Sequence, residues 1–482
     1  MIEIKNYING SLSFDNQLDK IDVVSPINGK VYARCLNSDS NTLNSAIKSA
    51  KKAFPKWKKL SINDRSQYLL NIADLLENKI DEFSKYESID NGKPYKLSKN
   101  LDIPRAIENL RFFASIARGL KSDSFIMEGK GLNYTIKEPL GLVGTITPWN
   151  LPLYLFTWKI APAIITGNCV IAKPSEITPM TAYLFSKLCI EAKLPKGVLN
   201  IIHGKGEKIG SEIVNHKGIK AISFTGGTET GKKISNDCSK TFKKLNLEMG
   251  GKNPVLVFDD CNYPKMLDSI VKSSFLNQGQ ICLAGSRIYI QKNIYKKFKK
   301  DFIKKVEKII VGDPFNKDSD QGAIVSKEHF DKILSYINIS KEEGCKVLTG
   351  GMKVDLNDEY RNGWYIRPTI IENFDNDSRI NQEEVFGPVV TLNSFENDQD
   401  ALKLANDSNY GLASIIWTEN INRAHKFANE IDSGIVWINC WLERDLRTPF
   451  GGVKNSGYGK EGGYHALNFF TKEKNICIKY YD

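Results

Sequence analysis

With 482 residues, 41% hydrophobic and 26% charged, the chain has the composition of an ordinary globular protein, long enough for two cores. No stretch approaches the ~18 uninterrupted apolar residues of a membrane span, and the opening MIEIKNYINGSL has no basic-then-apolar secretory pattern. The net charge of +11 does not imply a nucleic-acid partner, because the lysines are spread along the chain and interleaved with acidic residues. Nine scattered cysteines with no CxxC pair and no metal-ligand spacing point to reduced thiols in the cytoplasm and to no metal.

In chain order, Asn9-Gly10 and Asn28-Gly29 read as turns between short strands. Leu43, Ala46, Ile47, Ala50 and Phe54 recur at helical spacing. Ser61 and Asp64 form a capping-box signature that opens a helix expected to run through Phe83. A further helix is expected over Ile103–Ala117, and the alternating segment Phe125–Lys137 reads as a hairpin leaving the main body.

From Gly141 onward strands and helices alternate. Strand-like runs are Val143–Thr147, Cys169–Ala172, Leu199–Ile202, Ala221–Phe224 and Pro254–Phe258, with a helix at Thr178–Ala192. Such alternation predicts parallel sheets covered on both faces. In Tyr295–Ile310, Phe298, Phe302, Val306 and Ile309 make an apolar helical stripe opposite a solvated lysine face. The pattern repeats to about residue 440, and Ile476–Tyr481 is again strand-like.

The chain is organised around FLNQGQICLAGSR, residues 275–287, and within it around Cys282. A lone cysteine is most often a small core filler. Here Gly279-Gln280 and Ala284-Gly285 leave room for a substrate and for backbone N–H groups aimed at it. Four other stretches carry chemistry. Asn150, in Pro148-Trp149-Asn150, follows a strand end, where open α/β sheets place ligands, and its amide can donate to an oxyanion. Glu176, in Lys173-Pro174-Ser175-Glu176, can accept from ribose hydroxyls and repel a 2′-phosphate. Phe224-Thr225-Gly226-Gly227-Thr228 runs from strand to Gly-rich turn to helix, which suits a pyrophosphate. A similar Gly204–Gly210 stretch reads as a chance match. Glu248, beside Gly250 and Gly251, suits a general base.

PWN, KPSE, FTGGTETG, LEMGGKNP, FLNQGQICLAGSR, EEVFGPV and PFGGVKNSG occur in the order seen in the NAD(P)-dependent aldehyde dehydrogenase superfamily. The resemblance covers nearly the whole chain. It implies two parallel-sheet α/β domains, a Rossmann-like cofactor domain over 1–119 and 140–249 and a catalytic domain over 250–450. It also implies a small β oligomerisation element from 120–139 and 466–482, and a homodimer or homotetramer. By the same resemblance Cys282 is the nucleophile, Asn150 with the Cys282 N–H holds the oxyanion, and Glu248 activates water. NAD would be held by Thr147, Pro148, Trp149, Lys173, Ser175, Glu176, Phe224 to Thr228, Glu384 and Phe386.

NCWLERDLRTP (439–449) and DIPR (102–105) resemble the 2-hydroxymuconic and 2-aminomuconic semialdehyde dehydrogenases. That resemblance puts Arg105, Leu151, Trp158, Arg444 and Phe450 at the substrate, with Arg447 a competing candidate. Two guanidiniums at one entrance imply a substrate carboxylate. Glu443 is expected to neutralise Arg444 in part. Other readings are a betaine-type aldehyde, a CoA-acylating enzyme and a non-catalytic relative. Intact Cys282, Glu248 and Asn150 speak against the last.

Overall fold

The structure, a computed structural model, describes residues 1–481. Two large sheets dominate. In the first, four buried strands run parallel in the order Lys244–Glu248, Ile219–Thr225, Leu142–Ile146, Cys169–Lys173. Leu199–Ile201 continues the parallel set, and the hairpin Asn6–Ile8/Ser11–Ser13 closes that edge. Asn9 and Gly10, both at positive φ, make its two-residue turn. Gly457–Tyr458 returns to pair antiparallel with Lys244–Glu248 at the other edge. The second sheet has the order Lys346–Thr349, Thr369–Glu372, Val389–Phe395, Gly285–Gln291, Asn253–Val257, Ala413–Trp417, Ile435–Ile438, parallel except for its first member.

Register fixes the site. In the first sheet Ile146 lies opposite Lys173 and Phe224, and Thr225 lies opposite Glu248. The carboxyl ends of four strands therefore finish abreast. In the second sheet Asn253 pairs with Gly285, and Thr369 with Val389. Cys282 and Glu384–Phe386 precede those strands, so the amino edge of the second sheet faces the carboxyl edge of the first.

The hairpin Ser124–Met127/Gly131–Pro139 is joined along its whole length by Thr471–Lys479, from Thr471↔Pro139 to Lys479↔Gly131. The tail strand thus starts five residues before the expected Ile476. Among the described residues no helix is long and apolar enough to cross a membrane.

Three helix expectations need correction. The helix opened by Ser61 ends at Glu77, and Ile80–Asn91 is a separate helix. Lys79 leaves helical geometry (φ −117°, ψ 22°), with no Gly or Pro nearby to mark the break. The lysine-rich helix spans Lys292–Val306 and buries Tyr295, Phe298, Phe302 and Val306, so Ile309 falls beyond it. Helix Met180–Glu191 starts later than Thr178 and has no cap of its own; its first N–H donates instead to Asp90 Oδ2 at 2.8 Å.

The capping box is present in both directions, Ser61 Oγ accepting from the Asp64 N–H and Asp64 from the Ser61 N–H. Ser61→Ala should therefore lower stability by about 1 kcal/mol, read as a lower urea midpoint, while Gln67→Ala on the exposed face should not.

Candidate active site

The Cys282 loop is strained and tightly held. Asn277, Gln278 and Gly279 all sit at positive φ (52°, 55° and 67°). A Cβ on Gly279 would lie 2.1 Å from the Gly387 carbonyl oxygen, so only glycine fits there. Gln278 Nε2 donates to Ala323 O (2.7 Å), and the Val325 N–H donates to Gln280 Oε1 (3.1 Å). Asn253 Nδ2 holds the carbonyls of Cys282 and Ala284, each at 2.8 Å. The thiol ends up partly buried at the cleft.

Cys282 and Asn150 line one cavity of about 270 Å³ with Trp149, Thr225, Gly226, Glu384 and Phe386. Asn150 Nδ2 spends one N–H on Gln280 O (3.0 Å), which leaves the other for a ligand. Burial pushes the Cys282 thiol up to about 12; Glu384 and Glu248 add to this, while Arg444 opposes it. Burial therefore favours the neutral thiol over the thiolate.

Glu248 is not the loop residue its sequence neighbours suggest. It ends a strand, is buried, and neither carboxyl oxygen has a hydrogen-bond partner. Burial raises its pKa well above the usual carboxylate range, Glu461 raises it further, and Lys159, Lys460 and Arg444 pull it down. Lys159 and Glu461 form a buried ion pair (2.6 Å) that Ser223 Oγ joins. Neither was singled out from sequence: Lys159 lies within the apolar helix Pro152–Ile165, and Glu461 is more than two hundred positions from Glu248.

The cofactor-type residues converge on the same edge. Thr228 begins the helix Thr228–Ser239, whose N-cap Gly227 offers no side chain. The first-turn N–H groups are thus left for a ligand, and the hydroxyls of Thr147, Thr225 and Thr228 are buried without partners. Lys173 Nζ pairs with Glu176 Oε2 (2.7 Å), and the Gly206 N–H donates to Glu176 Oε1 (2.9 Å). Burial would raise the Glu176 carboxyl, but these partners outweigh it and hold it below its usual value. Ser175 Oγ accepts from the Ile177 N–H, which shapes the turn.

A neighbouring slot of about 210 Å³, lined by Ile146, Gly206, Gly210, Val214, Phe224 and Ile234, opens where the strand order reverses. The Gly204–Gly210 stretch dismissed above thus borders the site. Its glycines look like a chance match in sequence because the strand edge that gives them a role is distant in the chain. Glu384 accepts the Gly251 N–H (2.9 Å). Phe386 stands edge-on to Trp149 at 5.3 Å, and its carbonyl accepts from His329 Nε2 at 2.7 Å. Burial lowers His329 to about 4, so the ring is neutral. Orphaned hydroxyls, a free helix N-terminus, a carboxylate at ribose-accepting position and an apolar slot together fit NAD.

Arg444 sits between Trp158 and Phe450, its guanidinium carbon 4.6 and 3.9 Å from their ring centres. Nη1 donates to Tyr154 OH (2.8 Å), and Nη2 is buried without a partner. Arg447 lines the same surface groove as Arg444 but is 75% exposed and paired with Asp445. Glu443 does not neutralise Arg444; its side chain is exposed, and its carbonyl accepts from Trp437 Nε1. Arg105 pairs with Glu108 (3.4 Å), which lines a surface groove with Arg444. Leu151 caps the start of the helix that carries Tyr154 and Trp158.

This fold and cleft define a NAD-dependent oxidoreductase with a cysteine at its centre. The chain belongs to the aldehyde dehydrogenase family, which it matches over residues 14–476. It is 42% identical to 2-aminomuconic semialdehyde dehydrogenase from Homo sapiens, over 100% of this chain and 99% of that one. It is 39% identical to 2-hydroxymuconic semialdehyde dehydrogenase from Pseudomonas sp. (strain CF600), over 99% and 100%. The NAD+ complex of an aldehyde dehydrogenase from Bacillus cereus superposes with a TM-score of 0.96 at 34% identity, covering 99% of this chain and 96% of that one.

A thiol near 12 has a clear kinetic signature. Without cofactor, alkylation of Cys282 by iodoacetamide should accelerate roughly tenfold per pH unit from pH 8 to 10 without levelling. Glu384→Gln removes an opposing charge and should speed the reaction at fixed pH. A plateau below pH 9, followed by peptide mass mapping, would contradict this.

Proposed function

We propose that the protein oxidises a carboxylate-bearing semialdehyde, of the muconate class acted on by its relatives, to the corresponding dicarboxylic acid. The observation that carries this reading is the buried, unpartnered Nη2 of Arg444, wedged between Trp158 and Phe450. A guanidinium fixed on two rings and short of one acceptor suits a planar anionic group. It would repel a cationic aldehyde of the betaine type. Arg105 is the second candidate contact, and Leu151 borders the path.

Cys282, having given up its thiol proton to solvent, adds through Sγ to the aldehyde carbon; the oxyanion so formed is met by Asn150 Nδ2 and the Cys282 N–H, and its collapse expels the carbon-bound hydrogen as hydride. Bound NAD supplies the hydride acceptor. The thioester left on Cys282 is hydrolysed by water whose proton passes to Glu248, releasing the acid and the thiol. The raised pKa of Glu248 suits that base role. Retention of this glutamate favours hydrolysis over transfer to CoA.

We also propose that residues 1–119 and 140–249 form the NAD-binding unit and 250–450 the catalytic unit. Residues 120–139 with 466–482 would join subunits into a homodimer or homotetramer, a reading supported by the exposed Phe125 and Ile126 on that small sheet. Unpaired cysteines throughout favour a cytoplasmic setting.

Cys282→Ala should abolish oxidation, whereas Glu248→Ala should give one burst of NADH and stall as the acyl-enzyme. A folded Glu248 variant without a burst would place the residue before hydrolysis. For an anionic semialdehyde, Arg444→Gln removes a charge-assisted contact of ~1.5–3 kcal/mol and should lower kcat/KM roughly 10- to 150-fold. A neutral aldehyde of similar length should lose little, and Arg447→Gln should act weakly on both. Equal losses for both aldehydes would remove the carboxylate reading.

A further inference from the structure

Asn91, Gly92 and Lys93 connect the helix Ile80–Asn91 to the short turn at Tyr95 and were not singled out by any motif. The structure places them against both halves of the reaction centre. Lys93 is fully buried, ion-paired with the equally buried Asp102, and donates to the Asn150 carbonyl at 3.0 Å. Asn91 Nδ2 donates to the Trp149 carbonyl at 2.9 Å and reaches the Asn150 carbonyl at 3.4 Å. Asn277, from the cysteine loop, donates to the same Asn150 oxygen at 3.2 Å. A carbonyl has two lone pairs, so three donors over-determine its direction.

Gly92 reaches the other half. Its carbonyl accepts the Ala323 N–H at 3.0 Å, and the Ala323 carbonyl accepts Gln278 Nε2 at 2.7 Å. Gly92 sits at φ +83°, and a Cβ there would lie 2.6 Å from the Ala323 oxygen, so the approach requires glycine. Three consecutive residues thus grip the Asn150 turn directly and the Cys282 loop through one intervening residue.

We propose that Asn91–Gly92–Lys93 is a positioning clasp that orients the Asn150 peptide, and through it the Asn150 side-chain amide, relative to Cys282. The clasp rests on the reading of Asn150 as oxyanion donor and Cys282 as nucleophile. Its members touch no reacting atom. A buried ammonium suits the role because Asp102 anchors it from the opposite side, so the donor cannot swing away. Asp102 also ends a π-helical turn, Ser98–Asp102, directly ahead of the helix that carries Arg105. The same lysine therefore ties the carbonyl end of the site to the helix bordering the substrate groove.

The test separates aim from integrity. Lys93→Met with Asp102→Asn removes the donor without leaving a lone charge on Asp102, and the nearby buried Glu87, pushed up to about 7, can take a proton. Pre-steady-state NADH formation should slow roughly 10- to 100-fold, as for a misplaced catalytic group, with KM for NAD and the thermal midpoint near those of the parent. Cys282 alkylation by iodoacetamide, which forms no oxyanion, should stay within about twofold. A parallel fall in alkylation and burst rate, or an unchanged burst in the folded double variant, would overturn the clasp. Should the double variant fail to fold, Asn91→Ala decides alone: a selective fall in burst rate supports the clasp and a parental burst rate overturns it. Asn150→Ala is the reference. If it too leaves the burst untouched, the oxyanion reading itself fails; if it slows the burst and the clasp variants do not, only the clasp fails.

Discussion

Alignment of four parallel strand ends is the constraint from which the site follows. Ile146 lies level with Lys173 and Phe224, and Thr225 and Glu248 pair one position further on, because the carboxyl halves of these strands are buried and paired in continuous register. A slip of one residue would turn every side chain to the opposite face. Each strand then releases its loop at the same height, which brings Trp149-Asn150, Lys173–Glu176 and Thr225–Gly227 into one line. The second sheet meets that line with its amino edge, where Cys282 and Glu384 wait. No single segment contains the site, yet none of its parts needs a long or mobile loop to arrive.

Much of this was legible in sequence. The alternation after Gly141 places the strands at 142–146, 169–173, 199–201, 219–225 and 253–257 to within one or two residues, because a doubly covered strand is a short apolar run bounded by turns, whereas Lys244–Glu248 and the later strands of the second sheet were not individually read. Asn150, Lys173 and Glu176 stood out because each sits close to proline at the end of a strand read from sequence, and Cys282 and Glu248 because glycines flank them. What escaped was whatever depends on distance in the chain. Lys159 hides in an apolar helix and gains meaning only from Glu461 and Glu248. Lys93 looks like one lysine among many until Asp102 and the Asn150 carbonyl close around it. The break at Lys79 escaped because no breaker residue marks it, and Gly206 escaped because only the folded edge brings it to Glu176.

The electrostatics of the cleft are set by burial. Cys282 and Glu248 are both pushed toward their neutral forms by burial, and each carboxylate works against ionisation of the thiol. Arg444 opposes both effects. Charges that would be costly alone are paired deep in the fold, Lys93 with Asp102 and Lys159 with Glu461. Such pairs are weak sources of stability, because desolvation consumes most of their attraction. Their value here is geometric, because each fixes a donor beside the reacting centre.

One helix gives these separate demands a common frame. Pro152–Ile165 follows directly on Asn150, so the clasp that orients the Asn150 carbonyl also fixes where the helix begins. Four residues apart on one face, Tyr154 and Trp158 carry Arg444. The next residue, Lys159, turns by about 100° to another face and meets Glu461 and Ser223 beside Glu248. The proposed oxyanion donor Asn150, the proposed carboxylate contact Arg444 and the surroundings of Glu248 are therefore indexed to a single buried rod with a rise of about 1.5 Å per residue. The helix is buried over nearly its whole length, so these three points cannot shift independently. On the proposed roles, a substrate would have to present its carbonyl and its anionic group at the separation the helix sets, so that a fold shared with many aldehyde dehydrogenases selects for length as well as charge.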